Sequence, residues 1–392
     1  MFGGIFSRHH SGVPVLIADV ENGSVAAAVM VPNAKGPARV LASCRIDVPI
    51  GAQSADQARS TSIASLGDAT KQIVERYAQS DIAKTLGPIQ ALQAIVGPSL
   101  SRSRTVKLEE HYHDEKSISD SMIQALAQKA LQIPSELDGA NILETHVTRV
   151  QLNGYPTSRP IGKRARDLAV TAFQSDIVAG VEAQIEHALG VYAPGRKVDI
   201  RSQTRAILTV LHELSPETRN YLLLNVGGDT SHFVTIRKEE LAEHATGSTG
   251  TAKILADLSG EGGSPESTLT LLHMVSADTC SDEACEKMKA SLAKTEPALL
   301  KTFGEIFATL SASRRVPNEC ILVVRTDMAP WLENFFTRLD FSQFSVTAQP
   351  LSVTSLEPDH LQDFVQWHAD VPHDTGIGII AAFVNMSWQA KT

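Results

Sequence analysis

A chain of 392 residues is longer than one hydrophobic core usually serves, so two or more lobes are expected. Hydrophobic residues at 43% and charged residues at 20% match ordinary globular usage and exclude wholesale disorder. The formal net charge of -9 gives no broad attraction for a phosphate backbone, which argues against nucleic acid as a main partner.

In chain order, the start "MFGGIFSRHHSGVPVLIADV" has neither a long apolar signal region nor a small-residue cleavage site, and no window is apolar enough to cross a bilayer. A cytoplasmic location is therefore expected. Phe2, Ile5 and Phe6, with His9 and His10, read as a frayed tail. Pro14 to Ala18 predicts a buried strand, "DVENGS" a turn and Val25 to Val31 a returning strand. Ile63, Leu66, Ile73, Val74 and Tyr77 then fall on one helical face, and "ALQAIVG" reads as a strand ending at Gly97.

The middle of the chain has its own order. "TVKLEEHYH" alternates like an edge strand, and Ile118, Met122, Leu126, Ala130 and Leu131 mark an amphipathic helix. "THVTRVQLNGYPT" gives a strand and turn, and "RARDLAVTAFQSDI" contains another strand. This order predicts a small inserted α+β subdomain. The two imidazoles of His111 and His113 share one side of a strand but have no third ligand, so an exposed edge is expected there. The basic run "RPIGKRARD" reads as a solvated face, with acidic lipid or an acidic tail as the alternative.

Near Tyr221 the opening pattern returns: "YLLLN" as strand, "VGGDTS" as turn, "HFVTI" as strand. Overlaying the two hairpins sets Asp19 on Asn225, Glu21 on Gly227, Asn22 on Gly228, Gly23 on Asp229 and Ser24 on Thr230. Farther on, "LSGEGGSPEST" predicts a flexible loop, and a helical stripe from Leu299 to Leu310 is expected to begin just after Pro297. Strand "CILVV" and a helix opened by Pro330, with Trp331, Leu332, Phe335 and Leu339 on its core side, follow. Cys44, Cys280, Cys285 and Cys320 show neither CxxC nor zinc spacing and read as reduced thiols.

Two glycine-bearing hairpins half a chain apart resemble the phosphate loops of the actin, Hsp70 and sugar-kinase superfamily. "QLNGYPTSRPIGKRARDLAV" (151–170), "EKSISDSMIQALAQKAL" and "HDTGIGIIAAFV" resemble segments of the FtsA/PilM group within it. The resemblance implies an α/β, actin-like, duplicated RNase H-like two-lobed fold with an inserted SHS2-type subdomain. Its expected units are 1–103 for the first lobe, 104–178 for the insert, 179–200 and 370–392 returning to the first lobe, and 201–369 for the second.

A phosphate held between hairpins needs backbone amides, and glycine allows the close approach. Gly227 and Gly228 offer amides, Thr230 a hydroxyl and Asp229 a carboxylate able to hold magnesium through water; a plain GG turn is the alternative. In the first loop Asn22, Gly23 and Ser24 supply donors, and Asp19 is the metal organiser by resemblance. Three departures weaken ATP and magnesium binding. Glu21 replaces a glycine and brings a carboxylate that repels phosphate, Asn225 replaces an aspartate, and "RTDMAPW" has no glycine where the adenosine loop belongs.

No nucleophile elbow, Walker motif or dinucleotide fingerprint is present. The expected function is a scaffold of a membrane-associated assembly, in type IV pilus assembly or cell division, with weak or lost ATP binding. Its insert would engage a protein partner, such as a membrane protein's cytoplasmic tail, through Asn153, Gly154, Lys163, Arg164 and Arg166. Homo-oligomers or filaments accompany such folds, no structural metal is expected, and the short ending "NMSWQAKT" places attachment in a partner. The alternative is an active magnesium-dependent ATPase or small-molecule kinase.

Overall fold

Two sheets, each begun by one of the glycine-bearing hairpins, face each other across a pair of helices. The computed structural model describes residues 12–48, 55–215, 220–238, 240–260, 263–279, 283–312, 314–338, 340–347 and 349–390. Phe2, Ile5, Phe6, His9, His10, Cys280 and Leu339 lie outside them.

Strands β1 (Val15–Glu21), β2 (Ser24–Val31) and β3 (Ala38–Asp47) form an antiparallel meander. Helices α1 (Ala55–Gln79) and α2 (Asp81–Leu86) lead to β4 (Ala91–Val96), which pairs parallel to β1. The apolar stripe read from Ile63 to Tyr77 lies along α1, with Leu66, Ile73 and Tyr77 buried under the sheet. The chain then leaves this lobe to build β5 (Ser103–Ser117), α3 (Asp120–Leu131), β6 (Ile142–Leu152), β7 (Tyr155–Pro156) and β8 (Arg164–Asp176), a separate four-stranded sheet in the order β5-β8-β6-β7. Ser119 caps α3, whose apolar face packs on Leu168 and Val170 in a core of its own.

Helix α4 (Val181–Gly190) and strand β9 (Val198–Ser202) return to the first sheet beside β4. Helix α5 (Gln203–Leu214) crosses to the second lobe, where β10 (Asn220–Val226), β11 (Ser231–Arg237) and β12 (Glu240–Gly247) repeat the meander. After α6 (Thr251–Ser259), α7 (Pro265–Ser276) and α8 (Glu283–Ser311), strand β13 (Glu319–Val324) pairs parallel to β10, as β4 does to β1. Helix α9 (Ala329–Arg338) and strand β14 (Ser352–Ser355) complete that sheet. Strand β15 (Val365–Trp367) then joins β3 of the first sheet, and α10 (Thr375–Gln389) lies between the sheets with α5. The orders β15-β3-β2-β1-β4-β9 and β12-β11-β10-β13-β14 make the duplication explicit.

Four expectations are corrected. The second lobe was expected to run to 369, but β15 gives Val365 to Trp367 to the first sheet. Helix α8 runs straight through Pro297. Its stripe from Cys285 through Met288, Leu292, Leu299, Phe303 and Phe307 is buried throughout, and that continuous packing outweighs the lost backbone hydrogen bond at proline. The loop predicted at "LSGEGGSPEST" is shorter than expected: α6 ends at Ser259, and Ser264 caps α7 with Pro265 in its first turn. Finally, Cys285 is disulfide-bonded while Cys44 and Cys320 are free. Disulfide pairing follows from Cβ placement in the fold, which a search for CxxC spacing does not test.

Candidate functional site

The β1–β2 and β10–β11 turns meet head to head between the lobes. A Cβ added to Gly228 would lie 2.5 Å from the carbonyl oxygen of Asn22 and 2.8 Å from Cα of Gly23, so the two backbones are in direct contact. Glycine is needed here for approach to protein rather than to phosphate. Three of the turn amides have partners: Asn22 N donates to Ser99 Oγ at 3.3 Å, Gly23 N to Ser62 Oγ at 3.4 Å, and Gly227 N to the Thr230 carbonyl at 2.9 Å. The Gly227 and Gly228 carbonyls accept from Thr251 and Ala252, capping the start of α6.

Beside these turns sits a guanidinium. Arg45, from β3, donates through Nε and Nη2 to Asp374 at 2.6 and 2.9 Å, through Nη2 to Asp19 Oδ2 at 2.8 Å and through Nη1 to Ser24 Oγ at 2.6 Å. Asp374 is the N-cap of α10 and also accepts from the Ile377 amide at 2.9 Å. Gly376, in the first turn of α10, lets the helix close on this cluster, since a Cβ there would lie 2.3 Å from Asp19 Oδ2. Gln203 continues the network across the lobes: its Nε2 donates to Asp19 at 3.4 Å and its Oε1 accepts from Asn225 Nδ2 at 2.6 Å.

The electrostatics follow from this geometry. Burial works to raise the Asp374 pKa, but the charge and hydrogen bonds of Arg45 overcome it and hold the carboxyl below its usual range. Burial raises Asp19 despite the same cation. Glu21 is wedged between the lobes, with its carboxyl against Gly97 and Gly227. Burial first, then the charge of Asp19, push it up to about 8. The carboxyl expected to repel phosphate is thus packed between the lobes, where burial favours its neutral form.

Each residue expected to touch nucleotide can now be placed. Asp19, Ser24, Gly227 and Gly228 line a cavity of about 50 Å³ with Arg45, Gln203, Arg325 and Asp374. Asn22, Asp229 and Thr230 instead line a larger cavity of about 670 Å³ between the second sheet and the base of the insert. The two aspartates expected to organise a metal thus open onto different cavities. Burial raises Asp229, which is hydrogen-bonded by the Asn22 and Thr230 side chains. Thr230 also meets His232 Nε2 at 3.0 Å, and burial lowers that imidazole to about 4. In place of an adenosine loop, Arg325 pairs across the lobes with Asp47 at 3.0 Å, and Thr326 meets Thr375 at 3.2 Å. Arg45 thus holds Asp19 and Asp374, and the two turns pack on each other.

The sequence reading missed Arg45, Asp374, Gln203 and Arg325. Asp374 alone had a local signal, an aspartate just before the helix "TGIGIIAAFV".

On the insert, Asn153 and Gly154 form the β6–β7 turn with φ of 51° and 83°. Asn153 Oδ1 accepts from the amides of Arg166 and Asp167 at 2.9 and 3.0 Å, so this side chain holds the loop rather than reaching outward. Lys163, Arg164 and Arg166 are exposed. His111 bonds Asp167 and His113 bonds Asp114.

Sheet order, duplicated hairpins and the interrupted first lobe define a two-lobed actin-like fold with an inserted subdomain. A chain of the PilM-PilN type IV pilus biogenesis complex shares this fold with TM-score 0.54 and 11% identity, over 96% of this chain and 99% of that one. Ethanolamine utilization protein EutJ from Carboxydothermus hydrogenoformans aligns with TM-score 0.44 and 11% identity, over 94% and 89% of the two chains. A Bacteroides thetaiotaomicron protein with actin-like ATPase fold and unknown function aligns with TM-score 0.38 and 9% identity, over 97% and 99%. No protein-family model matches the chain, and no curated protein matches its sequence.

Proposed function

We infer that this chain is an actin-like scaffold of a membrane-associated assembly, with weak or lost ATP binding, held at the inner face of the membrane through a protein partner. The observation that carries the reading is Arg45, whose guanidinium takes up both Asp19 and Asp374. A cation built into the chain supplies the charge that a metal would otherwise bring to those carboxylates. Type IV pilus assembly is favoured over cell division because the fold is shared with a protein that assembles with PilN in pilus biogenesis. Among the described residues no helix is long and apolar enough to cross a membrane, which suits attachment through a partner.

Calorimetric titration of the full chain with ATP and magnesium tests this reading. No saturable heat up to about millimolar nucleotide is expected, a limit corresponding to only about 4 kcal/mol of binding. Saturable, magnesium-dependent binding in that range would overturn the reading, and release of phosphate or a phosphorylated product from the bound ATP would establish the ATPase or kinase alternative instead.

A further inference from the structure

We propose that the insert loop from Asn153 to Arg166 docks directly on an anionic lipid bilayer. The proposal deepens the scaffold reading and relies on it only for the setting, a membrane within reach.

The loop carries Arg159, Lys163, Arg164 and Arg166 without an aspartate or glutamate, in a chain whose net charge is -9. Among the described residues Tyr155 and Ile161 are the two most exposed large hydrophobic side chains, at 78% and 63%. Both are held out by the backbone. Tyr155 follows the Asn153–Gly154 turn, which Asn153 Oδ1 ties to the start of β8. Ile161 stands on a second turn, closed by Lys163 N donating to the Pro160 carbonyl at 3.2 Å with Gly162 at φ 81°. That turn is pinned to the buried Ile118 by two backbone hydrogen bonds of 2.8 and 2.9 Å, and Lys163 Nζ reaches Thr157 Oγ1 at 2.8 Å to join the two turns.

A fixed surface that displays an aromatic ring and a branched aliphatic among basic side chains matches the layering of a bilayer edge. Tyrosine suits the headgroup level, isoleucine the acyl boundary, and lysine and arginine the lipid phosphates. Of the neighbouring carboxylates, Glu115 lies 3.4 Å from Arg164, Asp114 meets the His113 ring and Asp167 the His111 ring. Arg159, Lys163 and Arg166 are exposed. An acidic peptide would match the charge but gives no reason for the exposed Tyr155 and Ile161; a lipid surface accounts for both.

The test is co-sedimentation of the full chain with vesicles of phosphatidylcholine alone or mixed with phosphatidylglycerol. Binding to the mixed vesicles only, released by added salt, is expected. Lys163→Glu with Arg164→Glu should lower the partition coefficient by about tenfold or more. Tyr155→Ser with Ile161→Ser should lower it at unchanged charge, and Lys84→Glu with Lys287→Glu, far along the chain, should leave it alone. Unchanged thermal unfolding would show that each variant is folded. Equal sedimentation with both vesicle types, none with either, or indifference to both loop variants would overturn the proposal. So would a chain that ignores vesicles yet captures polyglutamate through Lys163 and Arg164, an outcome that assigns the loop to an acidic protein. None of these results bears on the nucleotide titration, so the scaffold reading fails or survives separately.

Discussion

Arg45 concentrates the energetics of the interlobe contact in one side chain. Its planar fork fits Asp374 with two donors and still reaches Asp19 and Ser24, a geometry lysine lacks. Arg45→Ala leaves the buried Asp19 and the half-buried Asp374 without their cation and should cost about 3 kcal/mol in urea unfolding; Arg45→Lys should recover only part of it. Glu21 makes a second prediction, through pH. Its carboxyl titrates at about 8 in the folded chain against an ordinary value of 4.5, so the folded state binds the extra proton. The stability this confers is fully present below pH 4.5 and is lost as pH rises through about 8. Glu21→Gln should remove that slope. The difference in unfolding free energy between parent and variant should change by at least about 1 kcal/mol between acid and alkaline ends of this window, the equivalent of one pKa unit. His232, lowered by burial to about 4, contributes the opposite slope in both proteins and cancels in the comparison.

At the scale of elements, the paired turns and α8 show what local sequence reveals. The hairpins were legible because apolar runs flank "ENGS" and "VGGDTS", and their internal similarity revealed the duplication. Their chemistry was not legible. The carboxylates that Arg45 holds lie 26 and 329 residues away in sequence, and one of the two arginines in "ARVLASCRID" gives no period or motif. Glycine likewise marks close approach without naming what approaches. Gly228→Ala decides the point: the Asn22 carbonyl stands where the methyl would go, so the turns must part, at a cost of about 1–3 kcal/mol. Pro297 misled in the other direction, since a local breaker argued for a helix start where long-range packing holds one continuous helix.

At the scale of the whole molecule, the cores divide unevenly. One apolar cluster joins Val15 and Ile17 of the first sheet to Leu223 and Val234 of the second through Ile207 on α5 and Ile379 on α10. The lobes therefore share a core and should unfold together. The insert has a separate cluster of Tyr112, Ile118, Ile123, Leu126, Leu168 and Val170, and it meets the second lobe through polar contacts. These include Thr171 Oγ1 to Glu240 at 2.9 Å and Thr105 Oγ1 to the Leu241 carbonyl at 3.0 Å. Leu168→Ala should therefore lower hydrogen-exchange protection across α3, β6 and β8 by about 2–5 kcal/mol while amides of β1 and β10 keep theirs. Ile379→Ala should lower β1 and β10 together. Equal loss everywhere in the Leu168 variant would mean that the insert is part of the same cooperative unit as the lobes. In that case a partner bound on the insert would be coupled directly to the interlobe contact that Arg45 holds.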